Sequence, residues 1–153
     1  MVDHPPAPRE DGPWQASLEG RRQWFDDFPL HRQLGLSLLE ARPGYAKCVM
    51  KTSSFTLGGV GGSVHGGLLA CLVDIIMLAS LQGQFGPGEQ PAGTADLNIT
   101  YLRPALGKKI FAEARVIKKG RQLVVIEVEI TDQEDRLCAK GRTLYAVRQG
   151  STA

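Results

Sequence analysis

The longest apolar stretch of the chain covers residues 68–81, where Asp74 is the only charged side chain. The stretch is shorter than the about 20 residues that a membrane span requires, so it predicts a core helix. A helix that is apolar all round is normally buried on every side. We place its start near residue 64, and the glycine and proline signals at residues 83–88 end it.

Alternating apolar and polar positions before and after this helix predict strands. Residues 36–41 and 45–52 flank an Arg-Pro-Gly turn and form a predicted hairpin. Four further strands follow the helix with short turns between them, which predicts an antiparallel meander. These later strands cover residues 93–102, 110–117, 123–130 and 138–147.

The order of these elements predicts an α+β fold. The simplest packing of two strands, one buried helix and four strands wraps a single curved antiparallel sheet around the helix. Such a sheet has exposed edges, and pairing with a second copy covers one of them, so we expect a homodimer.

Two segments precede this domain, which we expect to span residues 29–149. Residues 1–13 carry four prolines and little apolar content, which predicts a disordered N-terminal arm. Residues 14–28 mix aromatic and charged side chains and predict an amphipathic helix that packs on the domain as a lid.

Charge and cysteine content exclude several classes of function. The net charge of +2 and the lack of a basic run between aromatic residues argue against a nucleic-acid partner. Three widely spaced cysteines without a CxxC pair indicate neither a zinc site nor a disulfide framework, so we expect buried free thiols in a reducing compartment. No segment looks like a signal peptide or a membrane span, which predicts a cytoplasmic protein without a membrane partner.

The start of the apolar helix is the candidate site. Gly66 and Gly67 follow His65, and they leave backbone N–H groups uncovered where the helix dipole is positive, which suits a polarised oxygen. Asp74 places a carboxylate in an apolar wall, where it is either a paired structural residue or a reactive group. The glycine-rich loop at residues 53–63 lacks the GK[ST] ending of a phosphate-binding P-loop.

Five features together resemble the hotdog-fold acyl-CoA thioesterases, in the branch of the phenylacetate-pathway and thioesterase superfamily member 2-like enzymes. They are the His-Gly-Gly motif, the apolar helix with Asp74, residues 94–104, the turn at 118–121 and the segment 139–142. The resemblance covers residues 29–147. It implies a hotdog fold, hydrolysis of an acyl-CoA without a metal or other cofactor, and a homodimer, or a homotetramer made of two dimers.

The resemblance also implies catalytic residues. The Gly66 N–H polarises the thioester carbonyl, and Asp74 acts as general base or nucleophile. The two residues lie eight positions apart, about 12 Å along one helix, so they meet one carbonyl only across a dimer axis. Thr94 orients the water, with an ordinary strand threonine as the equally open alternative. Asp96, on the same predicted strand face, ranks below Thr94.

Other residues match positions that contact the substrate in relatives. His65 and Gly67 belong to the motif itself, in which the histidine more often structures the turn than takes part in catalysis. Tyr101 matches a position that lines the coenzyme A groove. So does the turn formed by Lys118, Lys119, Gly120 and Arg121. Its three basic side chains either hold phosphates or form an ordinary exposed hairpin turn.

One position departs from the family pattern. Relatives commonly carry asparagine or glutamine six residues before the histidine, where it helps to hold the carbonyl or the water, and here that position is Gly59. The departure keeps open a second function, a non-catalytic acyl-CoA sensor or carrier with the same fold. Asp74 argues against a pure binder, which has no use for a carboxylate in an apolar helix. A hotdog hydratase or dehydratase ranks last, because its pairing of a histidine with an acid is not seen.

Overall fold

The computed structural model describes residues 17–150, so the predicted arm at residues 1–13 and the first residues of the predicted amphipathic helix lie outside it. Two helices open the described chain. The first is α1 (Leu18–Asp27) and the second is the short α2 (Pro29–Gln33). Proline stands at the first position of α2, where its missing N–H would have had no helical partner.

The helix α1 is capped at its start and packs against an edge of the sheet. The Ser17 hydroxyl accepts a hydrogen bond from the Gly20 N–H at 3.2 Å, which satisfies one N–H of the first turn. Phe25 is buried in the core, and the Leu38 N–H donates to the Asp26 carboxylate at 2.9 Å. Phe25 therefore anchors α1 to the domain, whereas Trp24 of the same helix is 48% exposed.

Within residues 17–150, six strands form one antiparallel sheet. They are β1 (Leu36–Arg42), β2 (Tyr45–Lys51), β3 (Glu89–Tyr101), β4 (Lys109–Lys119), β5 (Leu123–Asp132) and β6 (Leu137–Gln149). Their order across the sheet is β1-β2-β4-β5-β6-β3, so β1 and β3 are the two edges. The predicted hairpin of β1 and β2 is confirmed.

The position of β3 corrects the predicted meander. Strands β4, β5 and β6 are successive neighbours, but β3 pairs with β6 and not with β4. The connection after β3 passes the start of the apolar helix, where the Val64 N–H donates to the Ala105 carbonyl at 3.0 Å. It then reaches the end of β2, where the N–H of the following residue, Thr52, donates to the Lys108 carbonyl at 3.0 Å. Turn residues mark a change of direction, and they do not distinguish a hairpin from a crossing connection.

The apolar stretch forms α3 (Gly66–Ser80), which packs against the inner face of the sheet. Leu72, Val73 and Ile76 are fully buried between the helix and the strands. Gly141 in β6 permits the close approach, because a Cβ at this position would lie 2.6 Å from Val73 Cγ1. The sheet and α3 therefore have the predicted arrangement, in which one curved antiparallel sheet wraps around one helix.

One face of α3 is not fully buried, contrary to the prediction from its apolar sequence. Four residues on this face, each about one turn after the previous one, are only partly buried. We call them the open stripe: Leu68, Cys71, Asp74 and Leu78. Thr94 of the edge strand β3 contacts Asp74 of this stripe. The open stripe and an unpaired sheet edge are therefore neighbours.

The three cysteines are unpaired, as predicted. Cys48 and Cys138 are buried and Cys71 is half-buried. Burial raises the pKa of the Cys48 thiol to about 12, so this group stays neutral. Within residues 17–150, no helix is long and apolar enough to cross a membrane, and no group of three His, Cys, Asp or Glu side chains is placed to hold a metal ion.

Candidate active site

A glycine-rich loop leads into α3 and fixes where the helix starts. It makes a tight turn at Val60–Gly62, in which two glycines take positive φ angles. The Gly59 N–H donates to the Ser63 carbonyl at 2.9 Å. A Cβ on Gly59 would lie 2.3 Å from Ser63 Oγ and 2.7 Å from the Val64 carbonyl oxygen, and the backbone oxygen cannot easily move away. This loop therefore has no room for the asparagine expected at position 59.

His65 is the N-cap of α3 and covers most of the N–H groups at the helix start. Its Nδ1 accepts a hydrogen bond from the Gly67 N–H at 3.0 Å, which requires Nδ1 to be unprotonated. Its carbonyl accepts from the N–H groups of Leu68 and Leu69 at 2.9 and 3.2 Å. The Gly66 N–H has no acceptor in the described part of the chain. The histidine cap thus leaves one N–H uncovered at the positive end of the helix, that of Gly66.

Tyr101, the last residue of β3, contacts the same helical turn. Its hydroxyl donates to the Gly66 carbonyl oxygen at 2.8 Å. Its ring lies beside the Gly66 Cα, since a Cβ on Gly66 would meet Cε1 and Cζ at 3.4 Å, an ordinary contact distance. The side chain is 52% exposed and borders the solvent. The structure therefore brings together Tyr101, His65 and the two glycines.

Asp74 lies about two turns further along α3, on the open stripe. The Thr94 hydroxyl donates to Asp74 Oδ1 at 2.8 Å. This bond fixes one carboxylate oxygen, while the half-buried position of Asp74 keeps the group in contact with the solvent side of the helix. Thr94 and Asp74 are thus adjacent, as the candidate assignment requires.

A β-bulge makes the contact between Thr94 and Asp74 possible. Thr94 and Asp96 stand opposite consecutive residues of β6, which leaves Ala95 as an extra residue in β3. Because the bulge interrupts the alternation, Thr94 faces the helix and Asp96 faces the opposite side. The prediction that Thr94 and Asp96 share one strand face is therefore wrong, and Asp96 has no access to the Asp74 site.

The charge of Asp74 acts on two further side chains, Tyr145 and Cys71. Burial raises the pKa of Tyr145 and the charge of Asp74 adds to it, while a hydrogen bond with the Gly93 backbone acts in the other direction. Burial, followed by the charge of Asp74, raises the pKa of the Cys71 thiol. A protonated thiol is a weak nucleophile, which leaves Asp74 as the candidate reactive group. Alternation in β6 marks Tyr145 as inward-facing, but no sequence signal places it opposite Thr94, the residue that holds Asp74.

Gly66 and Asp74 do not meet within one copy of the chain. They occupy the same helix, eight residues apart, which corresponds to about 12 Å of helical rise. Each is held by a different part of β3, Gly66 by Tyr101 and Asp74 by Thr94. One copy therefore keeps the Gly66 N–H and the Asp74 carboxylate apart.

The basic turn between β4 and β5 lies near the start of β3, away from Tyr101. Lys119 Nζ donates to the two carboxylate oxygens of Glu89 at 2.7 and 2.8 Å and to the Gly120 carbonyl at 3.2 Å. These three acceptors use all the N–H donors of the ammonium group. Lys118 and Arg121 are exposed and form no ion pair within residues 17–150.

Glu89 is the residue of this region that the sequence did not reveal. The Gly86 N–H donates to its Oε2 at 2.8 Å, and this bond, followed by that from Lys119, lowers the pKa of the Glu89 carboxyl. The strand β3 begins at Glu89 and not at the predicted residue 93. The only available signal was a pair of opposite charges 30 positions apart in the chain.

Comparison with known proteins gives consistent matches. The family model of the thioesterase superfamily matches residues 61–139. Human acyl-coenzyme A thioesterase 13 is 39% identical over 115 residues, which cover 72% of this chain and 79% of that protein. The structure of zebrafish thioesterase superfamily member 2 is 31% identical, with a TM-score of 0.72 over 86% of this chain and 98% of that chain.

A more distant structure agrees in fold. The Escherichia coli PaaI protein from the phenylacetic acid degradation operon has a TM-score of 0.73 over 91% of this chain and 95% of that chain, at 24% identity. The expected hotdog fold is thereby confirmed. The segment matched by the family model includes the start of α3, Asp74, Thr94, Tyr101 and the basic turn. The chain belongs to the thioesterase superfamily.

Proposed function

We propose that the chain hydrolyses an acyl-CoA thioester to a free acid and coenzyme A, at a site shared by two copies. The observation that carries the proposal is the single uncovered N–H of Gly66 at the start of a helix whose open stripe holds Asp74. In the reaction, a water oxygen adds to the carbonyl carbon and the C–S bond breaks. The proton lost by the water ends on the thiolate of coenzyme A.

Gly66 stabilises the charge that develops on the carbonyl oxygen. Its N–H is the one donor at the helix start without an acceptor in the described chain. The helix dipole adds positive potential at that point. A preorganised donor of this kind is usually a large term in acyl transfer, because it needs no rearrangement as the charge forms.

Asp74 acts as general base towards water or as nucleophile towards the carbonyl carbon. As a base it takes the proton of the attacking water and passes it to the leaving thiolate. As a nucleophile it forms an acyl-aspartate, which water then hydrolyses. Thr94 holds Oδ1 of Asp74, so the other carboxylate oxygen is free to act in either route.

A homodimer unites the two halves of the site. In the described part of the chain no strand pairs with the outer edge of β3, and the open stripe of α3 lies beside that edge. A second copy that pairs along β3 would cover both. A two-fold axis makes the two α3 helices antiparallel, which brings Gly66 near Asp74 of the partner subunit. Two such dimers can form a tetramer, and the three unpaired cysteines fit a reducing compartment such as the cytoplasm.

Lys118 and Arg121 contact the phosphates of coenzyme A in this proposal. Both are exposed and carry charge that is not used within the described chain. The Lys119 ammonium is already saturated by Glu89 and Gly120, so its role is to hold the turn in place. No metal or other cofactor enters the reaction, because the carbonyl is polarised by a backbone N–H.

A second function, an acyl-CoA sensor or carrier without hydrolysis, is favoured by one observation. Gly59 supplies no side chain, and the contacts of its position with Ser63 and Val64 exclude one. The amide that helps to hold the carbonyl or water in relatives is therefore missing. Binding of an acyl-CoA without release of coenzyme A would support this alternative.

The proposal is tested by measuring coenzyme A release from aryl, short-chain and medium-chain acyl-CoA thioesters. Asp74→Asn keeps the shape of the side chain and an oxygen that accepts from Thr94, and it removes the base. We expect kcat to fall by about 10²- to 10⁴-fold on the best substrate. Asp96→Asn is the matched control, since it makes the same change on the opposite face of β3, and it should retain full activity.

Two outcomes would contradict the proposal. Equal turnover by the wild-type protein and Asp74→Asn would reject Asp74 as the reactive group. Tight binding of every thioester without release of coenzyme A would replace the hydrolase with the sensor or carrier.

A further inference from the structure

We propose that Tyr101 is a positioning residue that aims the Gly66 N–H at the thioester carbonyl, and that it does not bind coenzyme A. This inference deepens the proposed function and rests on the role given there to the Gly66 N–H. It assigns to the hydroxyl of Tyr101 a task that a residue lining the coenzyme A groove would not have.

The peptide group between Gly66 and Gly67 is held at both of its polar atoms. The Tyr101 hydroxyl donates to its carbonyl oxygen at 2.8 Å, and its N–H donates to His65 Nδ1 at 3.0 Å. A peptide group is planar, so fixing both atoms fixes the orientation of the plane. The Gly66 N–H lies in the preceding peptide plane, whose His65 carbonyl accepts from Leu68 and Leu69. The two planes meet at the Gly66 Cα, so the clamp on the second plane restricts the torsions through which the N–H could turn away.

The sequence makes such a clamp necessary. Two successive glycines open α3, and glycine has the greatest backbone freedom of any residue. The first turn of a helix also frays more readily than its middle. A backbone N–H donor in a pair of glycines at a helix start would be poorly oriented without outside support. A small error in the direction of an oxyanion donor lowers the rate of the reaction strongly.

Tyr101 is itself well anchored. It is the last residue of β3, opposite Ala139 of β6, and the N–H groups of Leu102 and Arg103 both donate to the Cys138 carbonyl, at 2.8 and 3.1 Å. The strand end is thus fixed to its neighbour on the side away from solvent. A phenol has one O–H donor, and Gly66 uses it, so the hydroxyl has no proton left to donate to a phosphate or an amide of coenzyme A.

The kinetic test compares the wild-type protein with Tyr101→Phe, which removes the hydroxyl and keeps the ring. We expect kcat to fall by about tenfold while KM changes by less than about twofold, because the clamp acts on the transition-state donor. Tyr45→Phe is the matched control. It removes the same hydroxyl oxygen from a tyrosine of β2, whose ring packs against the Arg42 guanidinium at 3.8 Å. This control should leave both constants unchanged.

Two kinetic results would overturn the inference. A rise in KM with unchanged kcat would make Tyr101 a coenzyme A contact. Unchanged values of both constants would mean that the hydroxyl has no part in the reaction.

Hydrogen exchange of the Gly67 amide tests the clamp without any turnover. The amide should exchange at least about fivefold faster in Tyr101→Phe than in the wild-type protein and in Tyr45→Phe, because its peptide plane is released at one end. An unchanged exchange rate would overturn the clamp. If the wild-type protein hydrolyses no thioester, the proposed function fails, while the exchange measurement still decides the clamp.

Discussion

The two contacts between β3 and α3 support groups of different kinds in the proposed site. Thr94 holds Asp74, a side chain whose chemistry can be read from the residue type. Tyr101 holds the peptide next to Gly66, whose useful group is a backbone N–H that every residue except proline has. The comparison teaches that, in the proposed site, the second half depends on the exposure and orientation of a backbone group and not on residue chemistry. A search for catalytic side chains alone would find one half only.

The sharpest way to break the comparison is to remove the backbone donor itself. Gly66→Pro deletes the N–H at the first position of α3, where proline is well tolerated. His65 has ψ 130°, the extended conformation that a residue before proline prefers. We expect kcat to fall by about 10²- to 10³-fold, measured by coenzyme A release.

The matched control for this variant is Gly66→Ala, which keeps the N–H. The added methyl group would meet the Tyr101 ring at 3.4 Å, an ordinary contact, so we expect a loss of less than about fivefold. If Gly66→Pro folded normally and kept the activity of Gly66→Ala, the Gly66 N–H would have no role as donor.

A smaller effect is expected from loosening the Asp74 half. Thr94→Val keeps the branched shape and removes the hydroxyl that donates to Oδ1, and kcat should fall by about tenfold. Thr94→Ser should restore most of the activity, and Thr100→Val on the outer face of the same strand should have none of this effect. Wild-type activity in Thr94→Val would make Thr94 an ordinary strand threonine.

The smallest effect is expected in the basic turn, where two adjacent lysines differ in their contacts. Lys118→Met should raise KM by about three- to fivefold, and the increase should shrink as salt is added, because exposed charges are screened. Lys119→Met removes the same charge but breaks the contact with Glu89, so it should lower the thermal unfolding midpoint and leave KM nearly unchanged. Equal increases in KM for both variants would contradict the assignment of Lys119 as a structural residue.

Local patterns in the sequence predicted most of the fold. The helix expected at about residues 64–83 is α3, and all six strands were anticipated, because periodicity within a segment reports its own backbone. The pairing of β3 was not predictable. The turn at residues 103–107 has the composition of a hairpin, but it crosses the sheet to β4, which lies beside β2. Strand order depends on contacts between distant segments, which no short window contains.

The candidate site was predictable to a lesser degree. The residues themselves marked Gly66 and Asp74 as candidates, and their catalytic roles came from a resemblance to a family. The contact of Thr94 with Asp74 depends on a bulge at Ala95 that breaks the alternation used to assign strand faces. The pairing of Lys119 with Glu89 depends on where two strands end in space. The Thr94–Asp74 contact and the Lys119–Glu89 pair both arise from tertiary structure, which overrides the local sequence pattern.

The central claim, that one site is built from two subunits, is tested most directly by combining two inactive variants. Gly66→Pro and Asp74→Asn subunits with different affinity tags are produced together, and the mixed dimer is purified through both tags. One of its two sites then contains Gly66 and Asp74 intact, and the other contains neither. The account predicts about half of the wild-type activity per dimer, although each variant alone is nearly inactive. A mixed dimer that forms but is no more active than its parents would place the whole site within one subunit and contradict the account.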